Sequence, residues 1–154
     1  MAKYRMTVCG FFLLILVGCA PKGTGPVFSP NPAPHGMATV YHYRLQRGLG
    51  SGAAFALISN GHVVCIIGNG GYYVQHLNPG EYEYEKVFQQ HNPVGLIPQA
   101  IDNALAKPEH AYTITVEPDR SYFLKWSYSG KIEPIQKDVA LKELQGRREF
   151  EPVR

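Results

Sequence analysis

From residue 37 onward, apolar and polar positions alternate with a period of two, the spacing of a strand that buries one face. Residues 37–44 (Met-Ala-Thr-Val-Tyr-His-Tyr-Arg) are β-branched and aromatic and predict a first strand. A second apolar run at 53–58 leads into Asn60-Gly61, a strong hairpin signal, with residues 62–67 as its partner. Gly68-Asn69-Gly70-Gly71 turns the chain into 72–77, and Asn78-Pro79-Gly80 turns it again into 81–88. In that last run Tyr82, Tyr84 and Lys86 alternate with Glu81, Glu83 and Glu85, so the three carboxylates read as a solvated face. Residues 110–117 alternate cleanly, with Tyr112, Ile114 and Val116 on one side and Thr113, Thr115 and Glu117 on the other. Pro118-Asp119-Arg120-Ser121 is a turn, and 122–128 and 131–136 complete the set.

Helical spacing is sparse. Ile97, Ile101 and Leu105 recur every fourth residue, although Pro98 and Pro108 keep that segment (97–106) short. Val139, Leu141 and Leu144 make 138–144 a better amphipathic helix, stopped by Gly146. The expected fold is mainly β, a small antiparallel β-sandwich with one or two short helices. It occupies residues 37–146 and is followed by a charged tail, 147–154.

The N-terminus follows a different pattern. Lys3 and Arg5 precede the apolar run Phe11-Phe12-Leu13-Leu14-Ile15-Leu16-Val17. That run is far short of the roughly 20 residues needed to span a bilayer, and it reads as a signal-peptide core. Leu16-Val17-Gly18-Cys19 then resembles the bacterial lipobox, in which the cysteine thiol takes a diacylglyceryl group before cleavage. The sequence thus predicts a lipoprotein signal peptide (1–18), a lipidated Cys19 carrying palmitate-class acyl chains, and a Pro/Gly-rich tether (19–36) with Pro at 21, 26, 30, 32 and 34. Each acyl CH₂ buried in the membrane contributes about 0.8 kcal/mol, so several chains make a lasting anchor. Such a tether would extend by about 3.1 Å per residue. Ala20, where Asp would signal retention at the inner membrane, points to the outer membrane, with the domain facing the periplasm.

Composition narrows the function. The chain has 154 residues, enough for one domain. Of its 15 basic side chains Lys3 and Arg5 fall in the leader, leaving 13 against 12 acidic ones. That near-neutral balance leaves no electrostatic footprint for nucleic acid. Of 3 Cys, Cys9 belongs to the leader and Cys19 to the anchor. Cys65 is then alone in the apolar run Val63-Val64-Cys65-Ile66-Ile67 and reads as a small buried hydrophobe.

The order of these segments resembles a bacterial lipoprotein family catalogued only as a domain of unknown function, whose members are small periplasmic β-sandwiches. The resemblance runs through 38–44, the Asn60-Gly61 hairpin, Gly71-Tyr72-Tyr73, Leu77-Asn78-Pro79-Gly80-Glu81-Tyr82, residues 116–124 and 138–144. The Pro-Gly turn before an aromatic strand is also similar to PEGA surface-layer modules. The resemblance implies a fold and a location and carries no catalytic residues. Gly-rich 48–52 and the stretch 93–108 depart from it.

Candidate chemistry is thin. Gly48-Leu49-Gly50-Ser51-Gly52-Ala53 fits a loose dinucleotide fingerprint, but a hairpin turn follows where a long helix would be required. Six His (35, 42, 62, 76, 91, 110) form no close ligand pair, although His62 and His76 fall on consecutive strands. No nucleophile elbow occurs. The sequence predicts no enzyme, no cofactor and no metal site. Nine of the ten Tyr fall in this small domain and point instead to binding, with Tyr72, Tyr73, Tyr82 and Tyr84 as candidates. Tyr72 and Tyr73 are adjacent and so face opposite sides of a strand, which places at least one outside a simple core. The expected function is a lipid-anchored, non-enzymatic envelope protein that binds an envelope protein partner as an accessory subunit. The alternative is glycan or peptidoglycan binding through exposed aromatics.

Overall fold

The computed structural model describes residues 23–48, 54–89, 111–127 and 131–153. Eight strands and one helix follow one another as β1 (Ala38–Tyr43), β2 (Ala54–Ser59), β3 (His62–Ile67), β4 (Tyr72–Leu77), β5 (Gly80–Gln89), β6 (Tyr112–Val116), β7 (Ser121–Trp126), β8 (Ile132–Pro134) and α1 (Lys137–Leu144). They form two four-stranded sheets, in the orders β4-β1-β7-β8 and β3-β2-β5-β6. The expected β-sandwich is therefore the fold. One pairing departs from an all-antiparallel arrangement, because β1 and β7 run parallel at the centre of the first sheet. Periodicity identifies a strand but not its neighbour, and β7 returns to β1 from a different hairpin.

The hairpin at Asn60-Gly61 forms as its residues require. Asn60 (φ 46°) and Gly61 (φ 78°) are both left-handed, the backbone that matches the twist of a two-residue hairpin. The Asn60 side chain also accepts a hydrogen bond from the Glu83 N–H (2.9 Å), tying the turn to β5. A bulge follows at Leu57/Ile58, where the register passes from Leu57↔Cys65 to Ile58↔Val63. One extra residue on β3 re-phases the strand, so Cys65 and Ile67 reach the core while Val63 joins Ile58 on the outer face.

Between the sheets lie Val40, Leu57, Ile67, Tyr73, Tyr84, Val116, Leu124 and Trp126, all buried. The first sheet is covered on its outer face as well. There Tyr41, Tyr43, Tyr72 and Phe123 pack with Ala140 and Leu144 of α1, two residues four apart on one helix face. Burying the two faces of β1 explains why all six of its residues are buried. The helix is pinned by Glu143, which accepts from Tyr43 Oη (2.6 Å) and pairs with Lys125 Nζ (3.2 Å).

Two flanking segments belong to the fold. The expected tether does not hang free over residues 25–36. It runs along the outer face of the first sheet, with Phe28 edge-on to Tyr41 and Tyr72. Farther along, Asn31 N–H donates to Tyr41 Oη, Ala33 N–H to Thr39 Oγ1 and Gly36 N–H to Asp119 Oδ1. The expected charged tail is likewise part of the sandwich. Phe150 enters the core, its N–H donates to Tyr72 O (2.7 Å), and Pro152 bridges Cys65. This segment crosses from β4 to β3 and closes the seam between the sheets on that side. The predicted helix at 97–106 and most of the Gly-rich stretch 48–52 lie outside the described residues, as does Cys19.

Candidate functional site

The four tyrosines singled out from sequence occupy distinct places. Tyr84 is fully buried and donates from Oη to Gln75 Oε1 (3.0 Å). Tyr73 lies beside it in the core, its ring 6.4 Å from that of His42. Tyr72 faces the opposite side of β4, as alternation requires, but Phe28 and the N-terminal segment cover it, and its Oη donates to Pro26 O. Burial pushes its phenol up to about 12. Tyr82 alone is half-buried, with Oη donating to Asn78 O. Three of the four are thus buried, Tyr73 and Tyr84 between the sheets and Tyr72 beneath the cover on the outer face of the first sheet. They do not assemble into an exposed aromatic surface.

A polar network missed at the sequence level fills the centre of the sandwich. His42, on the inward side of β1, is completely buried. Trp126 Nε1–H donates to His42 Nδ1 (3.3 Å), which leaves Nε2 to carry the hydrogen and donate to Gln75 Oε1 (3.1 Å). Tyr84 closes the group through the same Gln75 oxygen. Burial holds His42 neutral, its pKa lowered to about 3. Both ring nitrogens are engaged, so the residue orders the core and is not poised as a base or ligand. The signal was present in the period of β1, which puts His42 on the same side as Val40.

Beside this network two cations bracket one ring. Lys86 Nζ is 3.8 Å and Arg44 Cζ 4.6 Å from the centroid of Phe55. Lys86 also donates to Ser127 O (3.4 Å), and Arg44 N–H to Gly71 O. Both side chains are buried, and a desolvated cation over an aromatic face gains about 2 kcal/mol. The arrangement anchors one end of the inter-sheet space.

Among the described residues the other histidines do not converge. His62 on β3 and His76 on β4 follow one another along the chain but belong to different sheets, and His76 Nδ1 instead lies 3.4 Å from Thr39 Oγ1. Cys65 is buried, its thiol pushed up to about 12 by burial and oriented toward Glu151 O. Glu81 and Glu83 are exposed, and Glu85 half-buried, on the outer face of β5.

What distinguishes the surface is the state of the sheet edges. β3 is bridged by Pro152, and Val153 N–H donates to Val64 O. The start of β4 is bridged by Glu149. β8 is only three residues long and ends on Pro134. Short edges and proline are common devices that keep a sheet from pairing with other chains. Among the described residues β6 carries no such device. It pairs with β5 on one side, from Gly80↔Val116 to Tyr84↔Tyr112, and among the described residues no strand pairs with its other side. Its five residues, Tyr-Thr-Ile-Thr-Val, hold no charge and no proline. Thr113 and Thr115 are exposed, while Tyr112 and Ile114 pack toward the core.

Compared with known proteins, the chain matches no family model, no curated protein and no solved structure.

Proposed function

We propose that this chain is a lipid-anchored, non-enzymatic envelope protein, acylated at Cys19 and sorted to the outer membrane, whose sandwich binds another envelope protein through the β6 edge. The observation that carries the binding reading is the contrast among the four edges. Three are shortened or bridged, and the fourth is an uncharged, β-branched strand with exposed threonines. Strand addition to such an edge draws affinity from main-chain hydrogen bonds and specificity from alternate side chains. Thr113 and Thr115 would face solvent in the extended sheet, and Tyr112 and Ile114 would continue the core beneath the added strand.

The anchor reading rests on Leu16-Val17-Gly18-Cys19 after a short apolar run. A pull-down of the detergent-solubilised, acylated protein, with Cys19→Ala as control, tests the two together. A stoichiometric envelope protein recovered from the acylated chain and depleted in the control is the expected result. Recovery of peptidoglycan fragments alone would overturn the protein-binding reading in favour of a glycan ligand.

A further inference from the structure

We infer that residues 23–36 are a strap fixed to the domain, so that a lipid on Cys19 holds one defined end of the sandwich, the end bearing Val27 and Arg148, against the headgroup layer of a lipid bilayer. This rests on the acylation of Cys19 proposed above.

The strap begins with main-chain pairing to the C-terminal segment. Gly25 N–H donates to Glu149 O (3.0 Å), Phe28 N–H to Arg147 O (2.8 Å) and Glu149 N–H to Pro26 O (3.0 Å), around the bridge Val27↔Arg148. The approach is too close for side chains. A Cβ on Gly23 would lie 2.6 Å from Arg148 O, and one on Gly25 would lie 2.9 Å from the Glu149 Cβ. From there the strap descends the first sheet, over Tyr41 and Thr39, to the Asp119 turn at the opposite end.

Only Ala20, Pro21 and Lys22 separate Cys19 from Gly23. Four residue steps reach at most about 14 Å, whatever their conformation. The five residue steps of β4, from Tyr72 beside the strap's start to Leu77, span about 17 Å. The leash is therefore shorter than the domain, and the two ends of the sandwich are not equivalent to the membrane. The near end presents Val27, 49% exposed, beside the exposed Arg148, and the exposed Arg47 lies on the neighbouring loop, where its N–H donates to Asn69 Oδ1. Exposed apolar and cationic groups together suit a headgroup layer with anionic lipids. A partner would then have to meet the domain at the membrane surface.

The test uses the acylated full chain in vesicles containing a lipid with a headgroup quencher. Single cysteines at Thr24→Cys or Asn78→Cys, both exposed and at opposite ends, carry an environment-sensitive fluorophore; Cys65 is buried. Mass spectrometry of the N-terminal peptide reports acylation separately. At least threefold stronger quenching at position 24 than at 78 is expected. Equal quenching with Cys19 acylated would overturn the strap alone, whereas an unmodified Cys19 would overturn the anchor reading and this inference with it. A ten-residue Gly/Ser insertion after Lys22, which leaves every strap contact in place, should abolish the contrast. Contrast that survives the insertion would also overturn the short-leash account.

Discussion

Gly71 lies against the ring of Phe150 so closely that a Cβ at Gly71 would sit 1.9 Å from Phe150 Cε2. That contact holds the C-terminal segment in the seam between β3 and β4. Gly71→Ala should therefore destabilise the fold by about 1–3 kcal/mol through overpacking. Phe150→Ala should lose about 3–5 kcal/mol through the cavity it leaves. In the double variant the two losses should fall short of their sum, because the smaller residue at 150 admits the new methyl group. Urea unfolding of the three variants measures this. A neutral Gly71→Ala would mean that residue 150 does not occupy the seam.

His42 makes stability depend on pH in a defined direction. Its folded pKa is lowered to about 3 by burial, whereas the unfolded side chain titrates near 6.5. The unfolded state therefore takes up the proton first, and stability falls as pH drops from about 6.5 toward 3. The slope approaches about 1.4 kcal/mol per pH unit. Asp119, lowered by its hydrogen bonds from Gly36 and His35, acts in the same direction at lower pH, and Glu149, raised by burial, opposes it. Glu149 is shared by the native chain and a His42 variant, so the difference between their profiles isolates His42. Thermal melts between about pH 6.5 and 5 should show a declining Tm for the native chain and a flatter profile for His42→Gln. Parallel profiles would contradict the buried neutral histidine.

Much of the sandwich was legible because its strands are short, regular and separated by turn residues with a specific backbone requirement. Asn60-Gly61 marked its hairpin through positive φ, and the alternation of Tyr82, Tyr84 and Lys86 with three glutamates marked the inner face of β5. The parallel neighbour of β1 was not legible, since alternation carries no information on which strand lies beside which. Nor was the strap: its prolines and glycines show no period, and its contacts are made largely by main-chain groups. The tail was obscured because a single apolar residue, Phe150, is set among charges. The burial of Tyr72 was hidden for a similar reason, since covering the outer face of the first sheet depends on α1 and the strap, which are distant in sequence from β4.

Glu143 joins helix to sheet by accepting from Tyr43 and pairing with Lys125. Glu143→Ala should destabilise the fold by about 1–3 kcal/mol, because it leaves the Tyr43 hydroxyl without its acceptor. Glu143→Gln, which still accepts, should lose less than half of that. Equal losses in chemical denaturation would assign the effect to the charge pair instead.

Cys65 should behave as an inert thiol. With its pKa pushed up to about 12 and its side chain buried, a maleimide at pH 7 should leave it unlabelled in the folded Cys19→Ala chain truncated before residue 19. Stoichiometric labelling should appear only in denaturant. Rapid labelling of the folded protein would show that the segment bridging β3 opens.

If a partner strand adds to the uncharged β6 edge, charging that edge must block binding. The most direct test places lysines on that edge at its two exposed positions, Thr113→Lys and Thr115→Lys, and repeats the quantitative pull-down of the acylated chain. Both side chains face solvent, so the Tm should move by less than the few degrees that about 0.5 kcal/mol produces in a domain of this size. Recovery of the envelope partner should fall at least tenfold while acylation and folding are unchanged. Undiminished recovery from the folded double-lysine variant would contradict strand addition at this edge.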